Sequence, residues 1–436
     1  MSPEGFDSEV LRREEFSRLG DCSYLDHTGA GQCPRAVLRD YFRLLSANVL
    51  GNSHSTNDVS LNTSMLVEDA RRALLDFFNA GDDYDLIFTS NASNALKLLS
   101  ESFPFDGQST LVLSADNHNS VHGAREYARK AGAKVIYVDI DGETLRLDES
   151  ALSRILEEER VRGQNLVFAY PAQSNFSGVK HPQSYIENVR RLGGTTILDT
   201  AAFVPTNRLD LQAVKPDAAV ISLYKILGLP TGVGALVVRK ELLEKLQRPS
   251  FTGGTIKIVG KDGYVLKSGH EGFEDGTLNF AAILLIKSVL EFIEKLGGIE
   301  AIGSHVRRLT LQILDGLGEI PNVKIYGPRD MEGRGGTIAV NIMGKGENQI
   351  PHGTVVAQAN GAGIALRGGC FCNPLAGLKA LGYGDEETAR YIEMARRSSE
   401  NDIDHPGAVR ISPGLCNTDR DVGRVIDFFR KAAGKV

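Results

Sequence analysis

Seven short segments rich in apolar and β-branched residues have the length of β-strands. They are residues 85–90, 110–116, 134–140, 165–170, 195–200, 218–223 and 234–240. Several are apolar almost without interruption, as strands are when both faces of a sheet are buried. Between most of them, apolar residues recur at three- and four-residue spacing, which is typical of helices. These helical stretches are 61–78 and the regions around 118–131, 147–160 and 183–192.

Strands that alternate with helices predict an α/β fold. We expect a seven-stranded, mostly parallel sheet that helices cover on both faces. A short glycine-rich segment joins the last two strands, and such a short link would allow that pair to be antiparallel.

The pattern changes after about residue 281. A long helix is predicted from there to Gly297-Gly298. Short strands are predicted at 336–343, 363–367 and 408–412, and helices at about 385–398 and 418–431. We therefore predict an N-terminal segment at 1–25 that joins the small domain, a large domain at 26–280, and a small C-terminal α+β domain at 281–436.

Charged and hydroxyl side chains follow four of the predicted strands. These strand ends carry Ser90-Asn91-Ala92-Ser93, Asp116-Asn117-His118, Asp199-Thr200 and Ser222-Leu223-Tyr224-Lys225. In open α/β sheets, ligands bind beyond the carboxyl ends of the strands. We therefore expect these groups to converge in one site.

Each group has a functional and a structural interpretation, and the residues alone leave both open. Lys225, between a buried strand and a glycine-rich turn, could form a Schiff base or could cover an apolar edge with its stem. Asp199 could pair with the protonated ring nitrogen of a cofactor or cap the next segment. The segment from Ser90 to Ser93 suits a phosphate at a helix start, although plain capping is its simpler interpretation. The sequence has no P-loop and no dinucleotide fingerprint.

Two cysteines lie in the segment LRGGCFCNPLAG (366–377), where glycines and Pro374 predict an irregular loop. We predict no metal site, because zinc needs four ligands and the other cysteines are isolated. A thiol on a mobile loop suits a nucleophile, while two inert, half-buried cysteines are the alternative. Arg410, on a predicted strand of the small domain, could clamp a carboxylate or could form an ordinary ion pair with Asp or Glu.

Composition narrows the classes of function. The chain has 436 residues, a net charge of −6 and 42% hydrophobic residues, so a basic face for nucleic acid is not expected. No apolar run reaches membrane-spanning length, and the polar N-terminus does not resemble a secretory signal. Five cysteines do not make a disulfide framework. We expect reduced thiols and a cytoplasmic location.

Together these segments resemble fold-type I, class V aminotransferase-like enzymes, which use pyridoxal 5′-phosphate (PLP). Within that group, the chain is most similar to the cysteine desulfurase domain of molybdenum cofactor sulfurases. The resemblance extends from about Tyr24 to the C-terminus. Its motifs are YLDHTGAG (24–31), GNSHS (51–55), DNHNSVHGAR (116–125), SLYKILGLPTGVGALVV (222–238), FEDGTLNF (273–280) and LRGGCFCNP (366–374).

The resemblance implies a role for individual residues. Lys225 would form the Schiff base, Asp199 would pair with the pyridine nitrogen, and His118 would stack on the ring and assist proton transfer. The phosphate would be held by Ala92, Ser93, Ser222 and Tyr224. Gly276-Thr277 would reach the phosphate of a neighbouring subunit, which implies a homodimer with shared sites.

The resemblance also implies residues that bind the substrate and a residue that accepts sulfur. Asn175 would lie near the cofactor and the substrate carboxylate, and Arg410 would bind that carboxylate. Cys372 would accept sulfur as a persulfide. The resemblance thus implies a desulfurase acting on L-cysteine or a related amino acid and passing sulfur to an acceptor protein.

Other interpretations stay open. Class V relatives include C–S lyases, epimerases and decarboxylating enzymes that form C–C bonds, none of which needs the loop cysteine. A scaffold that has lost catalysis is a third interpretation, and the complete set of Lys225, Asp199 and His118 argues against it. The chain ends shortly after VRISPG (409–414), so we expect it to lack the C-terminal domain that molybdenum cofactor sulfurases usually carry.

Overall fold

The computed structural model describes residues 6–344, 348–397 and 406–435. Its strands are β1 (Ser23–Tyr24), β2 (Tyr84–Thr89), β3 (Ser109–Ser114), β4 (Lys134–Val138), β5 (Asn165–Pro171), β6 (Thr195–Asp199), β7 (Ala218–Ser222), β8 (Gly234–Arg239), β9 (Ile256–Val259), β10 (Tyr264–Leu266), β11 (Val323–Tyr326), β12 (Ile338–Ile342), β13 (Ile364–Ala365), β14 (Arg367–Gly369) and β15 (Ala408–Ile411).

The helices follow most of these strands. They are α1 (Ser8–Glu15), α2 (Arg35–Ala47), α3 (Asp58–Phe77), α4 (Ala92–Ser102), α5 (Asn119–His122), α6 (Ala124–Lys130), α7 (Glu149–Val161), α8 (Ser184–Arg191), α9 (Leu211–Val214), α10 (Lys240–Leu243), α11 (Phe280–Ile283), α12 (Ile286–Lys295), α13 (Gly298–Gly318), α14 (His352–Gly361), α15 (Pro374–Leu381), α16 (Asp385–Arg397) and α17 (Asp419–Ala433). No helix in the described part of the chain is long and apolar enough to cross a membrane.

A seven-stranded sheet forms the centre of the molecule. Its order is β2-β8-β7-β6-β5-β3-β4, and β8 runs antiparallel to both of its neighbours while the other pairs are parallel. The predicted sheet and its antiparallel pair are confirmed. Successive side chains of β8 enter opposite cores, Val237 on one face and Leu236 and Val238 on the other, because strand side chains alternate.

Helices cover both faces of this sheet. Leu96 of α4 and Ala128 of α6 pack in the core on one face. Leu74 of α3, Leu152 of α7 and Val189 of α8 belong to the core on the other face. Because both faces are covered, ligands can approach the strands only at their ends.

A second sheet, of order β11-β12-β15-β14, is antiparallel and lies in its own core with α13 and α17. The predicted strand at 363–367 is two strands in different sheets: β13 pairs with β1, and β14 with β15. The pairing of β1 with β13 ties the N-terminal segment to this part of the chain.

The helices on either side of Gly297-Gly298 differ from the prediction of one long helix that ends there. The preceding helix is interrupted between α11 and α12, and a 21-residue helix, α13, begins at Gly298 itself. Ile302 of α13 packs in the core of the large sheet and Ile313 in the core of the small sheet, so α13 connects both. The domain boundaries at residues 25 and 280 stay a prediction.

Candidate active site

A cavity of ≈ 270 Å³ lies at the carboxyl ends of the central strands. It is lined by Asn91, Ala92, Ser93, Leu96, His118, Ser120, Pro171, Gln173, Asn175, Asp199, Ala201, Ala202, Ser222, Tyr224 and Lys225. Eight of the predicted site residues are among them: Ala92, Ser93, His118, Asn175, Asp199, Ser222, Tyr224 and Lys225. The expected convergence of the strand ends is therefore what the structure shows.

Lys225 ends the short turn that follows β7, and its half-buried side chain lines the cavity. Burial lowers the pKa of its amine to about 8, and the charges of Arg410 and Arg367 act in the same direction, while Asp199 opposes them. No described residue gives this amine a hydrogen bond or an ion pair. The amine is therefore partly neutral near pH 7 and available as a nucleophile.

Asp199 is the last residue of β6 and is 8% exposed. Its Oδ1 accepts a 2.9 Å hydrogen bond from the backbone N–H of Ala201. No Lys, Arg or His nitrogen of the described residues lies within ion-pair distance of it. A buried carboxylate without a cation is costly, so the site favours a ligand that presents a positively charged N–H here.

The start of α4 forms another part of the cavity wall. Asn91 caps the helix by accepting a 2.8 Å hydrogen bond from the Asn94 N–H. Gly234 of β8 allows this close approach, because a Cβ at that position would lie 2.5 Å from the Asn91 backbone. The free N–H groups of a helix start, with the hydroxyls of Ser93 and Ser222, suit a phosphate.

His118 lies one residue before α5 and lines the same cavity. Its Nδ1 accepts a 3.1 Å hydrogen bond from the Ser120 N–H, so the proton of the neutral ring lies on Nε2. Burial lowers the pKa of the ring, which favours this neutral form. Ser120 also contacts Ser93 at 2.6 Å between their Oγ atoms. Ser120 was not predicted as a site residue, although it lies within the DNHNSVHGAR motif.

Cys372 lies beside the cavity residues, in a tight turn with Phe371. Both residues have left-handed backbone angles, with φ of 57° at Phe371 and 60° at Cys372. The N–H of Asn119 donates to the Cys372 carbonyl at 2.7 Å, and Asn175 Nδ2 donates to the Phe371 carbonyl at 2.6 Å. The preceding glycines, expected in a mobile loop, belong to β14. The turn is thus held by hydrogen bonds on both sides.

A buried polar network supports this turn from behind. Asp116 accepts hydrogen bonds from Asn373 Nδ2 at 2.7 Å, from Ser174 Oγ at 2.7 Å and from His181 Nε2 at 2.8 Å. Asn373 Nδ2 also lies 3.1 Å from Asn175 Oδ1. Neither Asn373 nor His181 was predicted as a site residue from the sequence. Asn373 stands inside the CFCNP motif, and that position was its only signal.

Arg410 lies outside the cavity lining, at 1% exposure. Its Nη2 donates to Asp26 Oδ1 at 2.6 Å, and its Nη1 donates to the Asn175 carbonyl at 3.1 Å. The guanidinium also lies over the Phe371 ring, 4.9 Å from its centroid. Of the two interpretations, the structure shows the ion pair, here with Asp26, and substrate binding by Arg410 stays a prediction.

Gly276 and Thr277 also lie outside this cavity. His54 Nε2 is 3.0 Å from the Gly276 carbonyl, and the Gly276 N–H donates to Gly253 at 2.8 Å. Asn52 Nδ2 donates to Thr277 Oγ1 at 3.5 Å. These two residues therefore do not line their own chain's cavity.

The chain is similar to known proteins over most of its length. The model of the family described as aminotransferase class-V matches residues 23–425. The chain belongs to this family of PLP-dependent enzymes. It is 34% identical over 470 residues to the molybdenum cofactor sulfurase of Solanum lycopersicum, a match that covers 98% of this chain and 57% of the relative. It is 35% identical over 452 residues to that of Homo sapiens, covering 96% of this chain and 50% of the relative.

The chain spans about half the length of the curated relatives it matches. Among solved structures, it is similar to the apo cysteine desulfurase of Thermococcus onnurineus NA1, with a TM-score of 0.83, 22% identity and 98% of each chain covered. It is also similar to the cysteine desulfurase CsdA of Escherichia coli, with a TM-score of 0.81, 21% identity and 99% of each chain covered. These likenesses confirm the predicted fold.

The residues of the cavity fit PLP. Among the described residues, Asp199 has no cation beside it and the Lys225 amine has no hydrogen-bond partner. Both side chains line the cavity, together with a helix start and two serine hydroxyls. They would take the ring nitrogen, the aldehyde and the phosphate of PLP, respectively. Asp199, Lys225 and Ser93 with Ser222 would therefore hold the cofactor.

Proposed function

We propose that this chain is a cysteine desulfurase that removes sulfur from L-cysteine and carries it as a persulfide on Cys372. One observation carries the proposal: the Cys372 turn is hydrogen-bonded to Asn119, the residue after His118. The thiol is thereby held near the cavity, and Cys372 is one of the groups that act on the pKa of Lys225. An enzyme that transfers no sulfur would not need a thiol at this place.

PLP, when bound, supplies an electron sink for the carbon that loses a proton. The chain supplies the groups that move protons. Lys225, with its pKa near 8, can take a proton from the substrate and return it to a carbon atom. His118 can donate a proton from Nε2, because Nδ1 accepts a hydrogen bond from the Ser120 N–H. Asp199 keeps the positive charge of the ring nitrogen paired throughout.

The sulfur step balances without a further reagent. The Cys372 thiolate forms an S–S bond with the substrate sulfur while the bond from that sulfur to carbon breaks. The electron pair of the broken bond stays on the carbon side, where a proton later adds. The net change is L-cysteine plus an enzyme thiol to L-alanine plus an enzyme persulfide.

The test is a single turnover of the holoenzyme with L-cysteine. Alanine would be measured by chromatography, and the persulfide would be located by peptide mass spectrometry. We expect one alanine for each persulfide, with the extra sulfur on Cys372. Cys370→Ser is the matched control and should retain the persulfide, whereas Cys372→Ser should lose it. Full turnover of Cys372→Ser with L-aspartate and none with cysteine would support a carbon-bond-forming enzyme instead.

We further propose that the enzyme is a homodimer in which Gly276-Thr277 of one subunit meets the phosphate of the other. Their location outside their own cavity supports this arrangement. So does a row of exposed apolar side chains on one face of α2, where Leu38, Phe42 and Leu45 are 41%, 76% and 40% exposed. Exposed apolar rows of this kind mark protein interfaces.

A second apolar row lies close to the first in sequence. Leu61 and Met65 of α3 are 48% and 61% exposed. The connection between α2 and α3 contains His54, which contacts Gly276. The exposed rows therefore flank the segment that holds Gly276 in place. A second copy of the chain covering both rows would bring Gly276-Thr277 against its partner.

We propose that a separate acceptor protein then takes the sulfur from Cys372.

A further inference from the structure

Arg367 is the first residue of β14 and lies directly opposite Arg410 in the pairing of β14 with β15. The two guanidinium groups have different surroundings. Arg410 is fully buried and has a carboxylate partner in Asp26. Arg367 is half-buried, and no described carboxylate lies within ion-pair distance of it.

Other buried guanidinium groups of this chain have acceptors within the protein. Arg71 pairs with Glu274 at 2.7 Å and Arg248 with Asp275 at 2.7 Å, while Arg334 donates to backbone carbonyls. A cation withdrawn from water needs such a partner to offset its desolvation. Arg367 has no carboxylate partner among the described residues. Its surroundings therefore favour an anion that is not a carboxylate of the chain.

The contact that Arg367 does make is to sulfur. Its Nη2 lies 3.8 Å from Cys372 Sγ, within range for a hydrogen bond to sulfur. The charge of Arg367 also lowers the pKa of Lys225 and of His118, so the guanidinium lies near these two residues of the cavity. It is therefore close both to the thiol and to the groups that would bind substrate.

The backbone fixes this pairing from both sides. Cys372 is set by its left-handed turn and by the hydrogen bond from Asn119. Arg367 is set by the antiparallel pairing of β14 with β15. A sulfur and a guanidinium that two separate elements bring together are preorganised, so forming the contact requires little further ordering.

We propose that Arg367 is a positioning residue that holds the Cys372 sulfur as an anion, both as the thiolate before attack and as the persulfide after it. This inference rests on the proposed desulfurase function. A guanidinium suits the task because it stays charged at all working pH values and donates several N–H groups. In this arrangement, the cation replaces the nearby base that activates many nucleophilic cysteines.

The test measures thiol reactivity in the absence of substrate. The holoenzyme would be treated with limiting iodoacetamide at pH 7, and alkylation of Cys372 and Cys370 would be followed separately by peptide mass spectrometry. We expect Arg367→Gln to slow alkylation of Cys372 about tenfold, the loss of one charge-assisted contact of about 1.4 kcal/mol. Alkylation of Cys370 should change much less.

Two further variants separate charge from structure. Arg367→Lys should restore alkylation to within about threefold, because a cation at the same place still attracts the thiolate. Arg390→Gln is the matched control, since Arg390 is exposed and paired only with Glu387. All variants should keep the PLP absorbance of the wild type, which excludes a general loss of structure.

Contrary results are distinct from a failure of the proposed function. Unchanged Cys372 alkylation in Arg367→Gln, with a raised KM for cysteine, would assign Arg367 to the substrate carboxylate and overturn the inference. Slowed alkylation that Arg367→Lys does not restore would also overturn it, because shape rather than charge would be responsible. A wild-type enzyme that forms no alanine from cysteine would refute the desulfurase, whatever the alkylation rates.

Discussion

Asn373 donates a 2.7 Å hydrogen bond to the carboxylate of Asp116, although the two residues are 257 positions apart in the chain. Asp116 follows a strand of the central sheet and leads to His118. Asn373 follows Cys372 and is the N-cap residue of α15, directly before Pro374. This one contact therefore ties the proposed sulfur carrier to the proposed proton carrier, and it makes the thiol turn part of the rigid sheet edge.

Replacing Asn373 by Ala should release the turn. Asp116 would lose a buried donor, which should cost about 1–3 kcal/mol of unfolding free energy. We expect PLP absorbance to persist while persulfide formation on Cys372 falls at least about tenfold, because a 1 Å misplacement can cost more than that. Thermal unfolding and single-turnover persulfide yield would measure the two effects. Wild-type persulfide yield in Asn373→Ala would contradict the positioning role.

Lys225 makes a prediction about pH. A buried amine with a pKa of about 8 rather than 10.5 is about one-tenth neutral at pH 7 and about nine-tenths neutral at pH 9. Since only the neutral amine attacks PLP, covalent capture by the apoenzyme should rise through this range with a midpoint near 8. Borohydride reduction and peptide mapping across the pH series would show it. A midpoint near 10.5, or capture on another lysine, would contradict the assignment.

Gly234 tests the phosphate end of the cavity. In Gly234→Ala, the new Cβ would meet the Asn91 backbone at 2.5 Å and push the start of α4 away. We expect PLP to bind at least about tenfold more weakly, equivalent to about 1.4 kcal/mol, which lies within the usual cost of overpacking. Gly107→Ala is the control, because a Cβ there has nothing within 4 Å. Equal PLP affinity in both variants would show that the phosphate lies elsewhere.

Asp199→Ala should separate cofactor binding from folding. Among the described residues, its side chain accepts one hydrogen bond, from the Ala201 N–H, so loss of the side chain should affect the fold little. Its carboxylate is the expected partner of the ring nitrogen, so PLP affinity and alanine formation should both fall by about tenfold or more. Spectral titration with PLP would measure this. Full activity of Asp199→Ala would contradict the pairing of Asp199 with the ring nitrogen.

The sequence was sufficient to predict which residues line the cavity where their positions depend on a local pattern. Lys225, Asp199 and Ser93 each follow a strand whose apolar run is visible, and the fold rule for strand ends brings them together. Arg367 could not be found this way, because its place beside Cys372 depends on the pairing of β14 with β15. The interpretation of Gly297-Gly298 as a stop hid α13, since a glycine pair ends one helix here and also begins the next.

Arg410 shows a different limit. A strand with an arginine leaves both a carboxylate clamp and an internal ion pair open, and only the fold brings Asp26 to it across 384 positions. The glycines at 368 and 369 predicted mobility from composition alone. Their place in β14 follows from long-range pairing that no local pattern encodes.

The shared-site dimer can be tested by complementation. Lys225→Ala removes the nucleophile from a subunit's own cavity, while Thr277→Asp would place a carboxylate against the phosphate of the partner. Each homodimer should be inactive. After subunit exchange at equal amounts, half of the dimers should be mixed, and each mixed dimer has one cavity with Lys225 from one chain and Thr277 from the other. Activity should therefore recover to about a quarter of the wild-type value. Activity that stays at zero while native mass spectrometry confirms mixed dimers would place Thr277 in its own subunit's site. An active monomer in ultracentrifugation would refute the shared site altogether.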